Sequence, residues 1–287
     1  MSTGLRTKRK ADWFSVVCML ATLLVLVFIG SALVAILLGG ISHLKEAVTS
    51  EEVLFSLRMS LVTSTVSTCV CLFLAMPTAF ALTHLDLPGK RIVEVLVELT
   101  LSLPYILLGF ALLIVFSSPV GKALKDVGIV VVFQPLGIVL AQMIVNLPFA
   151  VRMVRTAFSE VDPRVEFVAK TLGASRWDVF RTIVLPLSRN SLIGAFILTW
   201  ARGMGEFGAT LMLVGVTRMK TETLSGSIYL SISTGNTDTA MATAIIMLLV
   251  SALALLVSNV LGAPVGATRF GRSGPSGGMH RVREKRR

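Results

Sequence analysis

Arg202 and Glu206 stand four residues apart inside the apolar run Leu192 to Val216, and they are the only opposed charges placed deep in such a run. Four residues is about one helical turn, so in a helix both side chains share a face. Ionisable groups at membrane depth point to function by default. Two roles fit: a self-satisfied pair that holds its helix against its neighbours, or a charged station on a solute path. The strut is the favoured reading, because adjacent turns neutralise each other without a ligand. Other reactive residue types are scattered. Cys18, Cys69 and Cys71 all fall in apolar runs, which suggests no disulfide framework. Cys69 and Cys71 face different sides of a helix and make poor joint metal ligands, so no metal site is expected. His43, His84 and His280 read as isolated polar residues. No H-E-x-x-H or paired Asp occurs, and no G-x-S-x-G lies within an apolar run, which disfavours an intramembrane enzyme. The phosphate-cradling pattern G-x-x-x-x-G-K-[ST] is missing too: Lys90 follows Gly89, but Arg91 comes next and the upstream Gly is absent.

The elements that must carry these residues are membrane helices. The chain is 54% hydrophobic and 15% charged, a composition that a bilayer requires and a soluble core does not. Six runs are long enough to cross as helix: Trp13 to Leu38, Met59 to Thr83, Leu99 to Phe116 with a start near Ile92, Ile129 to Val151, Leu192 to Val216 and Ala240 to Leu261. Barrel strands alternate and are shorter, so the fold class is all-α, a polytopic membrane protein with six transmembrane helices. With the N-terminus inside, the inner segments hold twenty Lys and Arg and the outer segments six. That asymmetry places both termini and the 152–189 interval in the cytoplasm. The net charge of +11 is then mostly an orientation signal, not a nucleic-acid surface. The first run is too long for a signal peptide and no A-x-A site follows it. The expected organisation is a cytoplasmic N-terminus at 1–12, a transmembrane domain at 13–265 containing a polar hairpin at 160–188, and a basic, mobile tail at 266–287 near anionic lipid.

The hairpin has its own punctuation. Asp162 is a helix N-cap with Pro163 at the first helical position. Val165, Val168, Ala169 and Leu172 form an apolar stripe, and Gly173 ends the helix in a left-handed conformation. Ser175 caps a second helix, whose apolar face is Trp177, Phe180, Ile183 and Val184, and Pro186 breaks it before the fifth run. Elsewhere, Pro104 is expected to bend the third run near Ser102. Gly203, Gly205, Gly208 and Ala209 make the fifth run suited to close helix packing.

Gly173, followed by Ile183, Leu185 and Pro186, resembles the signature loop of ABC importer permeases: E-A-A, three residues, Gly, then about nine residues and I-x-L-P. The acidic residue is displaced here, since Phe167 stands six before the Gly and Glu166 seven before it. Val168 replaces the first Ala, and Ala169 is retained. The stretches "LTWARGMGEFGATLMLVG", "LDLPGKR" and 56–82 are similar to molybdate, tungstate and sulfate permeases. The resemblance covers roughly residues 55 to 260 and implies a binding-protein-dependent type I importer fold.

It also implies a mechanism and partners. The hairpin is a coupling helix seated in a groove of a separate ATPase, through Arg164, Glu166, Phe167, Val168, Ala169, Lys170, Thr171, Leu172, Gly173, Ala174, Ser175 and Trp177. Two ATPase subunits bind ATP and Mg, so no cofactor belongs to this chain and it is not itself an enzyme. Two copies of the chain form a homodimer with the pathway on the two-fold axis, fed by an extracellular binding protein. Pathway candidates are Ser102, Pro104, Thr199, Gly205, Glu206, Gly208, Ala209 and Thr210. The cargo is a tetrahedral oxyanion, molybdate or tungstate, with sulfate or another small solute as the alternative. A self-contained channel or secondary transporter is the rival from another class, and there the docking hairpin has no purpose.

Overall fold

The computed structural model describes residues 13–261, and among them the regular structure is helical with no strand. Expectations for 1–12 and for the basic tail, His280 included, lie outside the described residues. Helix α1 is Trp13–Gly40, an uninterrupted apolar helix in which Gly40 alone is buried. A short turn leads into α2, Leu44–Thr49, and then α3, Glu51–His84. Next come α4, Lys90–Ser102; α5, Tyr105–Ser117; α6, Pro119–Asp126; and α7, Pro135–Ser159. The hairpin contributes α8, Pro163–Thr171; α9, Arg176–Val179; a π turn, Phe180–Val184; and α10, Leu185–Leu187. The rest is α11, Arg189–Met204; α12, Gly208–Val214; α13, Leu224–Ser233; and α14, Thr237–Val260.

Helices α3 and α7 form the centre and pack along each other. One apolar core joins their hairpin ends, through Leu82, Val154, Phe158, Val179 and Val184. A second core gathers α5, α7 and α12 around Leu108, Ile138, Val145 and Leu213. Among the described residues, four helices are long and apolar enough to cross a membrane, and two bent pairs raise the number to as many as six.

Two of the expected spans are therefore broken. The third is not one helix from near Ile92 to Phe116: α4 and α5 are bent by 112° at Leu103 and Pro104. Proline supplies no N–H, and its ring pushes the residue before it out of helical geometry. Leu103 accordingly sits extended, at ψ 144°. The fifth run is helical to Met204, irregular at Gly205 to Phe207, and helical again from Gly208. Glycines weaken a helix interior, and here Glu206 caps the restart. The return limb of the hairpin also runs past Pro186 to Leu187, and its 71° bend against α11 falls at Ser188. Helix α13 appears in an interval where no helix was expected.

Candidate functional site

Caps build the hairpin. Asp162 accepts the Arg164 N–H at 2.9 Å, with Pro163 at the first helical position. Gly173 follows α8 at φ +90°, the left-handed region that glycine enters without a Cβ penalty. Ser175 and Asp178 then form a reciprocal capping box: the Ser175 hydroxyl accepts the Asp178 N–H at 3.2 Å, and the Asp178 carboxylate accepts the Ser175 N–H at 3.0 Å. The hydroxyl of Ser175, and then its N–H, hold the Asp178 carboxyl below the ordinary carboxylate range. Phe180 ties this frame to the long helices. Its ring lies 5.1 Å from Phe80 of α3, 6.1 Å from Phe158 of α7 and 5.7 Å from Trp177.

The hairpin presents an apolar outer surface. Phe167 is 68% exposed, Leu172 83% and Trp177 64%, and Val165 and Val168 join them. Arg164, Lys170, Thr171, Gly173 and Ser175 are exposed as well, whereas Ala169 and Ala174 are half-buried against the long helices. Glu166 does not belong to the outer surface. It is 6% exposed and turned inward, its carboxylate 2.9 Å from His84 Nε2 and 3.4 Å from Lys170 Nζ. His84 is thus no isolated polar residue; its partner lies 82 positions away in sequence.

The two broken spans meet each other. A Cβ on Gly109 of α5 would stand 2.4 Å from the Ala209 carbonyl oxygen of α12, so only glycine allows this approach. Glu206 is buried in the break and accepts the Ala209 N–H at 2.7 Å, while Ser225 donates to its backbone carbonyl at 3.0 Å. Arg202 turns elsewhere: it donates to the Tyr105 hydroxyl, and its guanidinium lies 4.9 Å over the Phe149 ring. No direct salt bridge joins Arg202 to Glu206, because the helix ends at Met204, between the two residues, although the two charges still attract each other. The pathway candidates divide. Ser102, Pro104 and Gly205 are exposed, and Gly208 is intermediate. Thr199, Ala209 and Thr210 are buried, Thr199 donating to the Ala195 carbonyl at 2.7 Å.

Residues 72–264 match the model of the family described as "Binding-protein-dependent transport system inner membrane component". This chain belongs to that family. The permease is 36% identical to the molybdate/tungstate transport system permease protein WtpB of Thermococcus kodakarensis over 161 residues, which is 56% of this chain and 61% of that relative. It is 36% identical to the molybdenum transport system permease protein ModB of Escherichia coli K12, over 68% of this chain and 86% of that one. The sulfate transport system permease protein CysT of the same organism is 31% identical over 79% of this chain and 81% of its own length. Among solved structures, a bacterial alginate ABC transporter in complex with its alginate-bound periplasmic protein superposes with a TM-score of 0.73 at 19% identity, covering 88% of this chain and 95% of the other. That likeness establishes the type I importer fold. The chain is an ABC transporter permease and an integral protein of the cell membrane.

Sequence reading missed one feature of the permease, a polar seam between α3, α7 and α11. Ser60, Thr63, Ser64, Ser67 and Thr68 of α3 are buried, with Gln142 and Asn146 of α7 beside them. Gln142 donates to the Thr63 hydroxyl at 3.3 Å and to the Gly203 carbonyl at 3.1 Å. The hydroxyl-bearing residues recur at helical spacing in "SLVTSTVSTCV", and that periodicity was the available signal.

Proposed function

We propose that this permease imports a tetrahedral oxyanion, molybdate or tungstate, delivered by an extracellular binding protein and driven by two separate ATPase subunits. Two copies of the chain enclose the path. The termini and the hairpin face the cytoplasm, a reading that the Lys and Arg asymmetry supports. ATP and Mg belong to the ATPases, and this chain carries out no hydrolysis. The observation that carries the reading is the hairpin itself: a doubly capped helix–turn–helix with Phe167, Leu172 and Trp177 turned outward. Large aromatic side chains in such a position serve as anchors in a partner's pocket. ATP-driven closure of the partner displaces the hairpin and switches the transmembrane helices between inward-open and outward-open. Sulfate is the alternative cargo, supported by the similarity to CysT. Calorimetry of the binding protein against molybdate, tungstate and sulfate separates the three.

Gly173 tests the docking. No atom lies within 4 Å of a Cβ built there, so the permease alone has room for a side chain. Gly173→Arg brings bulk and charge to the docked surface and gives up the left-handed backbone, at about 1–2 kcal/mol. Gly173→Asn tolerates that backbone and serves as control. Membrane insertion stays normal in both, and co-purification with the ATPase falls at least tenfold for Arg alone. A Gly173→Arg variant that assembles and supports ATP-driven uptake refutes the docking.

A further inference from the structure

In the signature loop the acidic residue stands six positions before the Gly, where this chain has Phe167, and Glu166 comes one position earlier. One residue along an α-helix is a rotation of about 100°. In this chain the Phe167 ring is turned out and the Glu166 carboxylate in, with exposures of 68% and 6%. Inside, Glu166 meets His84, the last residue of α3, at 2.9 Å, with side-chain exposures of 8% and 11%. Lys170, one turn along α8, holds the other carboxylate oxygen at 3.4 Å. The His84 ring stacks on Phe80 of the preceding turn, 4.5 Å apart and 15° from parallel. Phe80 in turn meets Phe180 of the π turn edge-on. Both limbs of the hairpin are therefore fastened to the last two turns of α3.

We propose that the Glu166–His84 bond is a strut that carries displacement of the hairpin into α3, which makes His84 a positioning residue of the transport cycle. The inference rests on the docking reading above. Apolar contacts under the hairpin resist compression, but they are non-directional and slide. A buried hydrogen bond to a carboxylate resists shear, because parting it strands the carboxylate away from water. Helix α3 is suited to receive that displacement, because it is one continuous helix of 34 residues from Glu51 to His84, with Pro77 in its interior, and it carries the buried hydroxyl seam, Ser60 to Thr68, on the far side of that proline.

The test uses the permease assembled with its ATPase, in a background without Cys18, Cys69 and Cys71. Spin labels are placed on two exposed positions, Val66 of α3 and Leu256 of α14. In the otherwise native complex, a non-hydrolysable ATP analogue changes the separation of the labels. His84→Ala keeps co-purification with the ATPase and loses most of that change. His84→Glu, which sets two carboxylates together, loses it as well, and adding Glu166→His restores it. If His84→Ala does not insert, His84→Gln is measured instead: it keeps an N–H donor and therefore keeps the change. The strut is overturned by an unchanged shift in His84→Ala, by no shift in the native complex, by an assembled exchange variant that stays silent, or by loss of the shift in His84→Gln. Loss of the ATPase from His84→Ala also overturns it, because His84 would then belong to docking. A native permease that captures no ATPase refutes the docking reading itself, which tells that failure apart from failure of the strut.

Discussion

Replacing Glu206 by Ala removes the acceptor of the Ala209 N–H and uncaps α12 at a point where both groups are buried. Loss of such a cap costs about 1–2 kcal/mol, and the N–H left behind has no route to water. Thermal unfolding of the purified complex should show the loss for Glu206→Ala, and a smaller one for Glu206→Gln, which keeps an acceptor. The consequence for Arg202 differs from that of a paired strut. Its guanidinium is engaged with Tyr105 and Phe149. Adding Arg202→Met to Glu206→Ala should therefore leave the two losses close to additive, short only by the attraction between the two charges. Full recovery of stability in the double variant would reinstate a direct charge pair.

At the scale of the element, the second limb of the hairpin is pinned by its capping box. The Asp178 carboxyl is depressed by the Ser175 hydroxyl and N–H. A carboxylate depressed in the folded state contributes stability that is fully present above its unfolded value, about 4. That contribution is lost as pH falls through the lower folded value. The Ser175–Asp178 capping box should thus persist through the neutral range and be lost only in acid, and the return limb that it pins should loosen there. Trp177 reports it: its fluorescence should stay constant across the neutral range and change in acid, and Asp178→Ala should abolish the acid step. A fluorescence step near neutral pH that survives Asp178→Ala would place the titrating group elsewhere.

For the whole molecule, the geometry of the broken spans constrains the proposed pairing of two copies. Ala209 is fully buried against Gly109 of its own chain, so a cysteine there should not crosslink copies. Phe110, one position further along α5, is 44% exposed. In a background without the native cysteines, Phe110→Cys should give a crosslinked dimer in at least one nucleotide state. Its failure in every state, together with Ile106→Cys and Ile114→Cys, would move the two-fold axis away from α5. The apolar side chains of α1 face outward, as a helix in contact with lipid requires.

The amino-acid sequence by itself determined the class of this protein, because the bilayer demands long apolar helices and tolerates little else. It also determined the hairpin, because Asp162, Pro163, Gly173 and Ser175 act on backbone within a few residues of themselves. Periodicity could not show where α4 and α5 would turn by 112°: Pro104 marked the place, but the size of the bend depends on what each half packs against. Nor could spacing decide the fate of Arg202 and Glu206, since a shared helix face exists only while the helix continues, and it ends at Met204. The meeting of His84 with Glu166 lay furthest out of reach. Each is an ordinary polar residue in its own segment, and only the packing of α8 against the end of α3 brings them within a hydrogen bond.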